Sequence, residues 1–233
     1  MAKKKKKKRV LKIKNICILL IILLLLIAII YYAINMPIKN IYINGNTIVP
    51  DNDIMELSSL YQYPSFLLTK KSTLIKSVKK NPYIKSVSIS KKIGNTIEIN
   101  IEEYKPIAID NIGNIILENG EKIENTYNLT DVPILINEIS NEEISINFAK
   151  KIAKITSNIL RQISQIEYSP VEVDEDRFLL YMNDGNLVYI TLTKIDKLNK
   201  YDKIKDILEG KIGIIYLDSG DYVEVKKEPS SAL

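Results

Sequence analysis

The apolar positions of this chain fall into three successive patterns, and each predicts a different kind of element. Residues 16–34 read ICILLIILLLLIAIIYYAI, a run of 19 residues without a charge. At about 1.5 Å per residue a helix of that length spans about 28 Å, close to the hydrocarbon thickness of a bilayer. It is apolar on every face, whereas a helix packed on a protein core carries one apolar stripe. A cleaved leader has a shorter apolar core, about 7–15 residues, closed by paired small residues. Here Ala33 stands alone between Tyr32 and Ile34. The pattern predicts an uncleaved transmembrane helix over 16–34, ended by Met36-Pro37 because proline disfavours helical geometry in the residue before it.

Over residues 36–106 the period changes from element to element. Ile41-Tyr42-Ile43 predicts a short strand stopped by the turn sequence Asn44-Gly45-Asn46. Pro50-Asp51-Asn52-Asp53 opens a helix with proline and acids where a helix start favours them. Ile54, Leu57 and Tyr61 are spaced to share its buried face. After Pro64, Ser72 or Thr73 is expected to cap a second helix carrying Leu74, Ile75 and Val78, stopped by Asn81-Pro82. Ile84, Val87 and Ile89 mark a strand, Gly94-Asn95 a turn, and Ile97, Ile99 and Ile101 a second strand alternating with Glu98, Asn100 and Glu102. The expected order is βααββ, with one face of the sheet on helices and one in water.

Residues 107–227 read as short strands with turn residues between them, interrupted by two helices. Asn119-Gly120 and Asp184-Gly185 are hairpin signals. Ser140 with Glu143 has capping-box spacing, and Phe148, Ile152, Ile155, Ile159 and Ile163 recur as on one helix. Ile195, Leu198, Tyr201 and Leu208 predict a second helix closed by Gly210. Residues 213–225 read as a closing hairpin, and 228–233 as a short tail. The fold class expected is α+β: a transmembrane helix, a βααββ domain, then a mostly antiparallel beta domain with two helices.

Charge sets the topology. Of the 33 basic residues, nine (Lys3 to Lys8, Arg9, Lys12, Lys14) precede the apolar run, leaving 24 against 28 acidic residues beyond it. The formal charge of +5 therefore belongs to one tail, over residues 1–15, and the remainder is mildly acidic. A nucleic-acid-binding domain needs a basic face on its folded part, so that class is excluded. By the positive-inside rule the tail is cytoplasmic and the bulk lies outside, with the bilayer contacted through residues 16–34.

Candidate chemistry is sparse. Cys17 is the one cysteine and lies inside the apolar run, and histidine is absent. Thiol nucleophiles outside the membrane and thiolate zinc sites are thereby excluded. Ser77-Val78-Lys79-Lys80 has Ser-x-x-Lys spacing, but no Lys-Thr-Gly follows and lysine is frequent. Asp174-Glu175-Asp176 lacks the glycine and distant glutamate of a calcium loop. No catalytic residue, cofactor, metal or small-molecule substrate is expected.

Several of these segments resemble a known family. Ile41-Tyr42-Ile43-Asn44-Gly45-Asn46 and Asn81-Pro82-Tyr83-Ile84-Lys85-Ser86-Val87 are similar to the opening and the "NPxIxxV" segment of POTRA domains. The stretch 97–108 resembles the close of the POTRA domain in the FtsQ/DivIB cell-division proteins, which also begin with a basic tail and one anchor. Gly94 stands where that family often has proline. The closing hairpin resembles the family's terminal strand pair but departs from its pattern at an arginine and an aspartate. The resemblance implies a non-enzymatic scaffold of the divisome, enriched at the septum, that binds FtsL-type and FtsB/DivIC-type partners and helps control septal wall synthesis. On that reading Tyr222, Val223, Glu224, Val225 and Lys226 form a partner-binding edge, since no strand follows them to pair with. The alternative is a POTRA-containing factor for envelope protein assembly or translocation. That reading calls for repeated POTRA units and a barrel, which the sequence lacks.

Overall fold

The computed structural model describes residues 13–226. Most of the basic tail and all of the tail at 228–233 lie outside the described residues. The chain divides into two compact units, 1–102 and 103–233.

The first unit begins with helix α1, Ile13–Ile34, which has no buried residue within the protein. It starts three residues before the charge-free run, taking in Ile13, Lys14 and Asn15, because a helix can continue into headgroup depth with a lysine at its end. Strand β1 (Asn40–Asn44) follows, then α2 (Asp51–Leu57), α3 (Lys71–Val78), β2 (Ile84–Lys92) and β3 (Thr96–Glu103). The sheet order is β1-β3-β2, with β1 parallel to β3 and Ile41 beside Ile97. Ile97, Ile99 and Ile101 are buried, and with Ile54, Leu74 and Val78 they form the helix-covered core expected from the alternation.

Two details differ from expectation. Tyr61 is half exposed and Leu57 only partly buried, while Leu60 is fully buried. The cause is a break: Ser59 takes a left-handed backbone (φ 55°) and a 3-10 turn over Leu60–Gln62 restarts the phase of the apolar face. The helix α3 is preceded by Lys70, which makes no side-chain cap, so Ser72 and Thr73 sit inside its first turn rather than before it.

Gly45 shows why the first turn carries glycine. Its φ is +87°, and a Cβ there would lie 2.2 Å from the Ile101 carbonyl oxygen. Only glycine satisfies both demands.

The second unit is one nine-stranded sheet with helices packed on its core face. Its strands are β4 (Pro106–Ile109), β5 (Ile115–Leu117), β6 (Lys122–Ile123), β7 (Ile134–Leu135), β8 (Ile163–Tyr168), β9 (Arg177–Met182), β10 (Leu187–Thr191), β11 (Gly213–Tyr216) and β12 (Tyr222–Val225). They run in the order β12-β11-β10-β9-β8-β7-β4-β5-β6. Five neighbouring pairs are antiparallel and three parallel, the parallel ones being β10–β11, β7–β8 and β4–β7. Parallel neighbours require crossovers. The helical segments supply two of them: α4 (Glu142–Ile152) and α5 (Ser157–Leu160) between β7 and β8, and a 3-10 stretch Leu192–Lys200 with α6 (Tyr201–Ile207) between β10 and β11.

The apolar stripe from Phe148 to Ile163 is not one helix. All five residues are buried, yet α4 ends at Ile152, α5 carries Ile159, and Ile163 opens β8. The break leaves carbonyls without helical donors, and other segments supply them. Lys105 Nζ donates to the carbonyls of Ala153 (3.0 Å) and Ile155 (2.5 Å), and Asn199 Nδ2 to that of Lys154 (3.2 Å). The α4 cap is Asn141, whose side chain accepts from the Glu143 and Ile144 amides, one residue after the expected Ser140. Asn141 reaches those amides directly, so no reciprocal box is needed.

Candidate partner-binding edge

Among the described residues, strand β12 closes the sheet and pairs with β11 alone, through Gly213↔Val225, Ile214↔Glu224, Ile215↔Val223 and Tyr216↔Tyr222. The Lys226 amide donates to the Ile212 carbonyl (2.9 Å), which extends the same register by one pair. Antiparallel pairs alternate between hydrogen-bonded and non-hydrogen-bonded. Counting back from Lys226, Glu224 and Tyr222 bond inward to β11. The N–H and C=O groups of Val223 and Val225 therefore point to the open side of the sheet.

The alignment of β11 rests on buried polar groups behind it. The Gly213 amide donates to Asn186 Oδ1 (2.8 Å), Asn186 Nδ2 donates to Tyr201 Oη (3.0 Å), and Tyr201 Oη donates to the Asp184 carboxylate (2.9 Å). Burial, with Asp184 adding to it, pushes the Tyr201 phenol well above its ordinary range, so it stays a donor. A Cβ at Gly213 would come within 2.9 Å of the Glu224 carbonyl oxygen, so the two last strands approach closely at this point.

The two faces of β12 offer different surfaces. On one, Tyr222 stacks on Tyr216 (centroids 4.6 Å apart) and Tyr216 on Tyr189 (5.4 Å). The guanidinium of Arg177 lies 3.9 Å from the Tyr189 ring centroid. Arg177 is held in turn by Asp218, Nε to Oδ2 at 2.7 Å, with both side chains largely buried. Burial pushes the Asp218 carboxyl up, but hydrogen bonds from Arg177 and Ser219 and the Arg177 charge outweigh it, leaving it below the usual carboxylate range. Desolvation, then nearby Glu224 and Tyr222, pushes the Tyr216 phenol up. On the other face lies a groove of about 440 Å³ between α6 and the last two strands. Ile204, Ile207, Ile215 and Val223 form its apolar lining, and Lys200 and Lys203 its rim.

All five residues expected at the edge are thus brought together: four on β12, each exposed, and Lys226 just beyond it. The sequence reading missed the ladder partners Tyr189 and Tyr216 and the groove residues Ile204 and Ile207. Ile204 and Ile207 lie three and six positions after Tyr201, a helical signal that was present. The ladder had none, because its alignment depends on the register between β10 and β11, which a helical crossover separates. Ser77 lies within α3, and Asp174 is in a turn bridged to Val171.

Comparison with known proteins places this architecture. Residues 36–104 match the family model of the POTRA domain, FtsQ-type. Over 194 residues the chain is 34% identical to the cell division protein DivIB of Bacillus subtilis, covering 80% of this chain and 73% of that protein. The chain belongs to the FtsQ/DivIB family. DivIB of Bacillus cereus is also 34% identical, over 202 residues, covering 82% of this chain and 79% of the relative. Among solved structures, the major extracytoplasmic domain of the trans isomer of DivIB from Geobacillus stearothermophilus is 29% identical, with a TM-score of 0.39, covering 46% of this chain and 96% of that one. As a member of the FtsQ/DivIB family the chain is a membrane-anchored cell-division protein, and α1 is long and apolar enough to be the anchor.

Proposed function

We propose that this protein is a non-enzymatic scaffold of the division machinery whose extracytoplasmic part takes up the main chain of a partner along β12. The observation that carries the reading is the open edge: Val223 and Val225 aim unpaired main-chain groups outward at the end of a nine-stranded sheet. An added strand would gain affinity from those bonds and selectivity from alternate side chains. One set would lie beside Tyr222, and the other over the groove between Val223 and Ile207. The partners we assign to it, in keeping with the family resemblance, are single-pass proteins of the FtsL and FtsB/DivIC types, acting outside the membrane at the septum in control of wall synthesis. The tail of lysines remains inside, by the positive-inside rule.

In-cell photo-crosslinking from Tyr222 and Val225 tests this directly. Capture of the DivIC-type protein is expected, and Tyr222→Asp with Val225→Asp is expected to lose the partner while the domain remains folded. Capture of nothing, with binding intact in the charged variants, removes the site.

A further inference from the structure

The foot of the POTRA unit carries an apolar and basic surface that the docking edge does not use. Its loops meet where the membrane helix ends. The Phe66 amide donates to the Met36 carbonyl (2.9 Å), Ile38 to Pro64 (3.0 Å), and Ser65 Oγ to Ile34. On the other side, Asn95 Nδ2 donates to the Pro37 carbonyl (3.0 Å), and the Lys39 amide to the Asn95 carbonyl (2.9 Å). Two loops, 63–70 and 91–95, are therefore tied to the residues that follow α1.

These same loops expose large apolar side chains. Ile93 is 102% exposed at the tip of the β2–β3 turn, and Leu67 and Leu68 are 55% and 63% exposed. Nothing in the core of the unit requires them. Lys70, Lys71, Lys91 and Lys92 flank them along the chain. Burial, then the neighbouring charge of Lys71, lowers the Lys91 ammonium, and its Nζ lies 4.8 Å from the Phe66 ring centroid while donating to the Phe66 carbonyl. Lys71, at the start of α3, and Lys91, near the end of β2, thus come from separate elements into one basic patch. From residue 57 to residue 97 the chain has eight lysines and no acid, and Glu98, which follows, pairs with Lys92.

We propose that this foot is a second membrane contact, lying on the anionic headgroups of the leaflet from which α1 emerges, with Ile93, Leu67 and Leu68 entering the acyl boundary. The occupant follows from continuity: the surface is hydrogen-bonded to the end of a helix that stands in lipid, so the bilayer is within reach without any further protein. Charge agrees, since lysines near an anionic surface are attracted to it and apolar side chains add burial. The contact would fix the height and tilt of the POTRA unit over the membrane instead of leaving it on a free tether. The inference rests on α1 spanning the bilayer and is independent of the β12 edge.

The chain has no tryptophan, so a single introduced one reports alone. Full-length Ile93→Trp, Lys80→Trp and Ile27→Trp are reconstituted separately into vesicles of phosphatidylcholine and phosphatidylglycerol brominated high on the acyl chain. Lys80 is exposed beyond the far end of α3, and Ile27 lies within α1. The Ile93→Trp emission is expected to be blue-shifted and quenched by bromine, more so with phosphatidylglycerol than with phosphatidylcholine alone, while Lys80→Trp stays in water. An unquenched, water-like signal at position 93 alongside a quenched one at position 27 overturns the contact while leaving the anchor standing. A signal at 93 that is shielded from aqueous iodide yet untouched by bromolipid overturns it too, since a protein surface would then be the cover.

Discussion

At the scale of single residues, the positions that matter most are polar groups kept dry. Arg177 and Asp218 form a pair whose removal from one side leaves an uncompensated charge, so Asp218→Ala is expected to cost about 3–5 kcal/mol in chemical denaturation. The same pair carries a pH signature. The folded carboxyl titrates below its unfolded value, so its contribution is complete above about pH 4 and is lost as pH falls through the folded pKa. Asp218→Asn should therefore flatten the acid limb of the stability curve and leave the neutral region parallel to the parent. Gly45→Ala meets a backbone oxygen at 2.2 Å in a left-handed conformation and should destabilise the POTRA unit, by more than the about 1 kcal/mol of an ordinary compatible glycine exchange.

At the scale of elements, legibility depended on whether a pattern was local. Ile97, Ile99 and Ile101 alternate within one strand, and both the strand and its buried face were readable from those residues alone. The stripe from Phe148 to Ile163 was readable as buried but not as helix, strand or break, because spacing of three and four residues survives an interruption that happens to keep phase. Two of the carbonyls freed where α4 ends are taken up by Lys105, nearly fifty residues earlier, whose ammonium donates to both. Lys105→Met keeps the aliphatic stem and removes both bonds. It is expected to cost about 1–3 kcal/mol, read as a lower denaturation midpoint with unchanged slope. The last strand itself was legible from Tyr222-Val223-Glu224-Val225 after the turn residues Asp218-Ser219-Gly220. Its aromatic ladder was not, since Tyr189, Tyr216 and Tyr222 become neighbours only through the β10–β11–β12 register. Proline separates edge function from edge stability: Val225→Pro deletes an outward N–H without deleting a bond to β11. The sheet should persist by circular dichroism while partner capture falls.

At the scale of the whole molecule, sequence and structure agree on a division of labour. One apolar helix holds the chain in the membrane, and a βααββ unit follows it directly. A broad sheet carries, at one end, the strand edge to which we assign a main-chain partner. The central claim is that binding happens through the backbone of β12. Residue-resolved amide hydrogen exchange on the detergent-solubilised full chain, alone and with its DivIC-type partner, measures this without altering a residue. Protection should appear at the Val223 and Val225 amides on binding, with Tyr222 and Glu224 changing less because they are already bonded to β11. A partner that binds while Val223 and Val225 go on exchanging as fast as before would contradict the claim.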